Sequence, residues 1–167
     1  IGIVITSFGI SAVQLLPTFQ LVRESIRKDG LPYELTTWGS YFFESFKLFV
    51  NPFAYGNPLP EKYSYFGPGP NYYELSYFVG RIPLLIIGIY LVYQLTLLFR
   101  KKRCNNYFFF CFISLLFYCG ISLGNNFFLH KLFYDLLPPF RLFRFPAQYL
   151  FFTVFILPVL FGISIFR

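Results

Sequence analysis

Charged residues are scarce in this 167-residue sequence. Asp, Glu, Lys and Arg together make up 13% of it, whereas hydrophobic residues make up 56%, and the mean hydropathy is +0.58. A typical soluble domain has about 25% charged residues. The composition therefore excludes an ordinary soluble domain and predicts an all-α integral membrane protein.

Cysteine and histidine are also rare. Cys104, Cys111 and Cys119 lie in or beside one apolar run, and their odd number gives no disulfide framework. His130 is the only histidine, and it has no cysteine or carboxylate at ligand spacing. The sequence therefore predicts no metal site and no cofactor.

Acidic residues are half as numerous as basic ones, 7 against 14, which gives a net charge of +7. The basic residues lie at the ends of apolar runs and form no extended soluble patch, so nucleic acid is not expected as a partner. Anionic membrane lipids are the expected partners.

Four apolar runs are long enough to cross the hydrocarbon core of a bilayer as helices. They span about residues 1–22, 82–99, 107–123 and 149–166. We expect a single membrane domain over residues 1–167, with interfacial helices over 42–50 and 131–137. Tyr, Gly and Pro predict a turn-rich loop over 55–77, and Pro138, Pro139 and Pro146 predict an extended connector.

Basic residues predict the orientation of these spans. The connection 100–106 contains four basic residues and no acidic one, so we place it in the cytoplasm. The connection 23–77 has five basic and six acidic residues, and we place it outside together with 124–148.

Arg141 and Arg144 precede the last span on the side where the positive-inside rule disfavours basic residues. In the functional interpretation they bind the phosphate of a lipid-linked substrate, because guanidinium pairs with phosphate through two parallel hydrogen bonds. In the alternative interpretation they extend to lipid headgroups at the membrane surface. The sequence leaves both open.

Carboxylates give no comparable signal. Six of those in the predicted outer loops are candidates for a general base, but no spacing pairs them. They are Glu24, Glu34, Glu44, Glu61, Glu74 and Asp135. The catalytic residues remain unknown.

Three stretches resemble bacterial YfhO-type membrane proteins. The first runs from Leu15-Leu16-Pro17 through Arg23-Glu24-Ser25, Gly30-Leu31-Pro32-Tyr33 and Trp38 to Asn51-Pro52 and Tyr55-Gly56. The second, Tyr77 to Leu85, resembles that family's entry into a later span. The third, Phe143 to Tyr149, is similar to its arginine-proline-alanine connector, although a basic residue is more usual than Gln148.

The resemblance implies a later fragment of a larger GT-C-like helical bundle in the bacterial cytoplasmic (inner) membrane. It implies an outer-face glycosyltransferase that uses a polyprenyl-phosphate-linked sugar, with a catalytic acid in a first outer loop outside this fragment. The rest of the full-length chain would then be a partner. The alternative is a non-enzymatic multi-pass protein, such as a transporter or an envelope assembly factor.

Overall fold

The computed structural model describes residues 2–56, 66–68 and 76–166, and every regular element in those ranges is helical. The prediction of an all-α fold is confirmed. The α-helices there are α1 (Gly2–Arg23), α2 (Tyr33–Thr36), α3 (Arg81–Phe99), α4 (Asn106–Ser122), α5 (Phe128–Leu136) and α6 (Leu150–Ile165). Short 3-10 helices occupy Phe43–Phe49, Gly124–Asn126, Pro138–Leu142 and Pro146–Tyr149.

Helices occupy all four predicted spans. Within the described residues, two are long and apolar enough to cross a membrane: α3, and the continuous segment Pro146–Ile165 that contains α6. In the apolar 18-residue stretch of α3, only 11% of the residues are buried within the chain. In the corresponding stretch of Pro146–Ile165, 22% are buried. Such low burial is unlike the core helix of a soluble protein. Helix α4 is apolar but has 17 residues, so four spans in a GT-C-like bundle remain a prediction.

The core lies where α6 packs against α3 and α4. Leu150, Leu157 and Leu160 are buried on α6, where spacings of seven and three residues place them on one helical face. The Phe108 ring of α4 is fully buried and meets the Tyr90 ring of α3 edge-on, with the centroids 4.9 Å apart. Aromatic packing therefore joins these helices.

A buried polar cluster fixes the turn between α3 and α4. The Asn105 side chain accepts hydrogen bonds from the backbone N–H groups of Tyr107 and Phe108, as an N-cap residue does. Its own backbone N–H donates to Gln94 Oε1 at 2.9 Å. The chain therefore enters α4 at a fixed angle.

Helix α1 differs from the others because none of its described side chains is buried. Ile3, Ile10 and Val13 are 74 to 85% exposed. Its apolar surface is therefore not covered by the described part of the chain.

The loop predictions have mixed outcomes. The helix expected over Phe42–Val50 is a 3-10 helix, Phe43–Phe49, in which Ser45, Leu48 and Phe49 are buried. Arg81 Nε donates to Val50 O at 3.0 Å and ties this segment to α3. The helix expected over 131–137 is α5, which begins earlier, at Phe128. Most of the predicted loop 55–77 lies outside the described residues.

Candidate functional site

Residues 30–41 dock onto two later segments, 122–126 and 134–147, and we call this assembly the loop junction. Backbone hydrogen bonds join Leu31 N to Arg141 O at 2.8 Å, Phe145 N to Trp38 O at 3.1 Å, Ala147 N to Gly39 O at 3.2 Å and Tyr41 N to Ser122 O at 2.8 Å. These bonds satisfy polar groups that the loops would otherwise bury unpaired. Residues 30–41 of the first predicted outer loop and the segments 122–126 and 134–147 therefore form one assembly.

Side chains reinforce the loop junction. The Tyr134 hydroxyl donates to Leu31 O at 2.8 Å, and Asn126 Nδ2 donates to Tyr41 O at 2.8 Å. The backbone N–H of Asn125 donates to Ser40 Oγ at 3.0 Å. Each bond connects residues more than 80 positions apart in the sequence.

Two glycines permit this close approach. Gly39 has φ +80°, and a Cβ there would lie 2.5 Å from Phe145 Cδ1. Gly124 has φ +52°, and a Cβ there would collide with Ser40 Oγ. A side chain at either position would meet both an unfavourable backbone conformation and a steric clash.

The connector before α6 departs from its predicted form. Leu137, before Pro138, is extended as expected, with φ −119° and ψ 104°. Phe145, before Pro146, instead adopts the left-handed conformation with φ 61° and ψ 71°, so the prediction of an extended residue there was wrong. Its N–H donates to Trp38 O and its ring lies 5.4 Å from the Trp38 ring, so tertiary contacts override the local preference.

Arg141 contacts the end of α5. Its Nε donates to Tyr134 O at 3.1 Å, Nη2 lies 3.5 Å from Asp135 O, and the guanidinium lies 5.2 Å from the centre of the Tyr134 ring. A cation at these carbonyls is favourable, because helix C-termini carry partial negative charge. The predicted role of Arg141 in phosphate binding stays a prediction, and the structure gives its guanidinium protein partners.

Arg144 has a different environment. It lines a cavity of about 650 Å³, and its Nε is buried with no hydrogen-bond partner among the described residues. The lining also includes Tyr77, Phe143, Phe145, Gln148, Tyr149, Phe151 and Phe152. The described lining of the cavity thus combines one cationic group, one amide and six aromatic rings.

The structure separates the two arginines that the sequence grouped together. Arg144 lines the cavity, while Arg141 contacts α5 and residue 31. Sequence reasoning did not identify Tyr77, Tyr149, Phe151 or Phe152 as lining residues. The position of Tyr149, Phe151 and Phe152 at the start of an apolar helix was the available signal, since aromatic residues concentrate at membrane interfaces.

His130 is buried on α5, 2% exposed, and its Nδ1 has no hydrogen-bond partner among the described residues. The rings of Tyr33 and Phe140 lie 6.0 and 6.2 Å from its own. Burial in this aromatic setting lowers the pKa of His130 below its ordinary value. Among the described residues, no group of three or more His, Cys, Asp or Glu could hold a metal ion.

The candidate carboxylates do not line the Arg144 cavity in the described part of the chain. Glu24, Glu34, Glu44 and Asp135 are exposed, and Glu61 and Glu74 lie outside the described residues. The described geometry therefore offers a cationic binding group without an accompanying general base.

Comparisons with known proteins give no relative. No protein-family model, curated protein or solved structure matches the chain. The function of the chain is therefore inferred from its own residues and from the sequence resemblance.

Proposed function

We propose that Arg144 binds the phosphate of a polyprenyl-phosphate-linked sugar, and that the chain is part of an integral-membrane glycosyltransferase acting at the outer face of the bacterial inner membrane. The observation that carries the binding proposal is the buried Nε of Arg144, which lacks a described partner beside an aromatic cavity. Proteins rarely leave such a group unpaired.

Phosphate suits this group better than a neutral ligand does. A guanidinium offers planar N–H donors that match two phosphate oxygens, and hydrogen bonds between charged groups are stronger than neutral ones. An anion would therefore offset the cost of burying the Arg144 N–H. The adjacent Gln148 amide could bind a second polar group of the same ligand.

A lipid-linked ligand suits the rest of the cavity. Phe151 and Phe152 begin α6 and are 55% and 45% exposed, so the cavity wall continues onto the apolar surface of that helix. A ligand with an isoprenoid chain could keep its chain on this surface while its phosphate meets Arg144. Aromatic rings also provide faces for stacking against a sugar.

Arg144 would assist sugar transfer as an electrostatic group. When the bond between sugar and phosphate breaks, negative charge grows on the departing phosphate, and a preorganised cation stabilises it. The acceptor hydroxyl also needs a base, which the resemblance places outside these residues. If the protein is instead a non-enzymatic membrane component, lipid binding would occur without transfer.

The binding proposal can be tested with the full-length protein in nanodiscs, titrated with a polyprenyl phosphate or with the corresponding polyprenol. Arg144→Ala should weaken binding of the phosphate about ten- to a hundredfold, as expected for one lost charge-assisted contact. Arg144→Lys should recover part of the loss, because it keeps the charge but not the planar donors.

Lys131→Ala is the matched control, since Lys131 is an exposed cation on α5. It should leave affinity unchanged. Thermal melting of each variant separates lost binding from lost folding. Equal affinity of the wild-type protein and a folded Arg144→Ala variant for the phosphate would remove the proposal. Sugar transfer measured with the same variants distinguishes the enzyme from a lipid-binding protein without transfer.

A further inference from the structure

The turn between α3 and α4 carries charge of one sign. Arg100, Lys101, Lys102 and Arg103 are all exposed in the turn after α3. The sequence contains no Asp or Glu between Glu74 and Asp135, and none after Asp135. None of α3, α4 and α6 therefore contains an acidic residue that could neutralise this turn. The positive charge of the turn favours an anionic partner.

The backbone of this turn holds the cations outside. Lys101 N donates to Leu98 O at 3.0 Å, and Lys102 N donates to Leu97 O at 2.9 Å. This pattern closes the helix C-terminus as a Schellman motif, in which glycine usually occupies the left-handed position. Here Lys101 occupies it, with φ 52°. The backbone groups are thus satisfied internally, and the side chains remain available.

An apolar groove lies beside this turn, between α4 and α6. It has a volume of about 470 Å³, and its lining includes Asn105, Tyr107 and Cys111 from the α4 side and Val159, Gly162 and Ile163 from α6. A Cβ on Gly162 would meet nothing within 4 Å, so this part of the groove is open. The groove can accept an aliphatic chain without displacing protein atoms.

The groove and the basic turn are adjacent. Asn105 lines the groove, and Arg103 precedes it by two residues, so their Cα atoms are separated by at most about 7 Å. Tyr107 is exposed in the same lining and presents an amphipathic ring of the kind found at membrane interfaces. One ligand could therefore contact the groove and the cations together.

We infer that this groove binds an anionic glycerophospholipid, with an acyl chain along Gly162 and the phosphate at the turn 100–103. Charge complementarity selects this occupant: the turn is wholly basic, and the groove beside it is apolar. A zwitterionic lipid would fill the groove but gain less from four cations. The site lies at the cytoplasmic face in the predicted orientation and is separate from Arg144.

The test uses the full protein in detergent, titrated with phosphatidylglycerol or phosphatidylcholine, with bound lipids counted by native mass spectrometry. The wild-type protein should prefer phosphatidylglycerol. Lys102→Gln with Arg103→Gln should reduce that preference by about fivefold per cation removed, the scale expected for a basic residue near an anionic surface. Lys28→Gln with Lys131→Gln is the charge-matched control and should leave the preference unchanged.

Gly162→Leu tests the groove independently of charge. It should fill the open space and lower retention of both lipids, whereas Gly88→Leu should not, because Gly88 is an exposed glycine of α3 with equally open surroundings. Melting temperatures establish that each variant is folded. Equal binding of the two lipids by the wild-type protein would overturn the inference. So would a wild-type dimer that dissociates when Gly162 is replaced by Leu, because a second copy of the chain would then occupy the groove.

Arg144→Ala distinguishes this inference from the proposed function. It should leave phosphatidylglycerol retention at the groove intact while weakening polyprenyl-phosphate binding. If Arg144→Ala removes both, the two lipids share the Arg144 cavity and the groove is not a separate site.

Discussion

The loop junction and helix α1 differ in how their backbone polar groups are paired and their apolar side chains are covered. In the loop junction, residues 30–41 bond to distant segments, and Leu31 and Tyr41 are only 2% and 0% exposed. Helix α1 satisfies its backbone internally, yet leaves its apolar side chains uncovered by the described chain. Both arrangements suit a membrane protein. Lipid or other helices can cover the apolar side chains of a helix, but lipid cannot form hydrogen bonds with the unpaired backbone groups of a loop.

This contrast indicates where sequence changes should alter stability. Alterations at the loop junction disturb contacts between segments far apart in the chain, whereas alterations on α1 meet open surroundings. Stability should therefore depend strongly on a few loop residues and weakly on a 22-residue helix.

The largest contrast is expected between two glycines. Gly39→Ala introduces a Cβ 2.5 Å from Phe145 Cδ1 at φ +80°, so we expect a loss of about 2 to 5 kcal/mol in unfolding free energy. Gly9→Ala on α1 meets nothing within 4 Å and should be neutral or stabilise the helix by up to about 1 kcal/mol. Melting in detergent micelles measures both. Equal melting temperatures for the two variants would contradict the comparison.

The sequence predicts the helices well and the loop junction poorly. Long uncharged runs locate α1, α3, α4 and α6 because hydropathy is a local property. The loop junction depends on pairs such as Leu31 with Tyr134 and Ser40 with Asn125, which lie 103 and 85 residues apart. No local pattern specifies such pairs.

The site was only partly predictable, because it too depends on contacts between distant residues. Charge and position selected both Arg141 and Arg144, but the local sequence could not separate them. Their difference arises from tertiary contacts, since Arg141 reaches the carbonyls of α5 and Arg144 lines a cavity. The left-handed conformation of Phe145 between Arg144 and Pro146 is equally a tertiary effect.

A smaller effect is expected at Arg141. Arg141→Ala removes the bond to Tyr134 O and the contact with its ring, and should cost about 1 to 2 kcal/mol, given that the side chain is partly exposed. Arg141→Lys should recover some stability, because an ammonium still favours the helix C-terminus. Lys131→Ala on α5 should change the melting temperature little. Full stability of Arg141→Ala with loss of polyprenyl-phosphate binding would instead support its predicted role as a phosphate ligand.

The smallest effect concerns pH and the buried His130 of α5. Burial lowers its pKa in the folded protein below the ordinary value of 6.5, so the unfolded chain binds protons more readily. Above about pH 7 both states are neutral at this residue, and it contributes no pH dependence. As the pH falls through 6.5, protonation favours the unfolded state and stability decreases. The melting temperature should therefore decline from pH 7 to pH 5.

His130→Phe isolates this contribution, since phenylalanine keeps an aromatic ring between Tyr33 and Phe140 but cannot be protonated. The decline between pH 7 and pH 5 should flatten in this variant. A decline of equal size in His130→Phe would assign the pH dependence to other groups. A flat profile in the wild-type protein would mean that His130 can be protonated without unfolding, which requires water or an anion to reach its Nδ1.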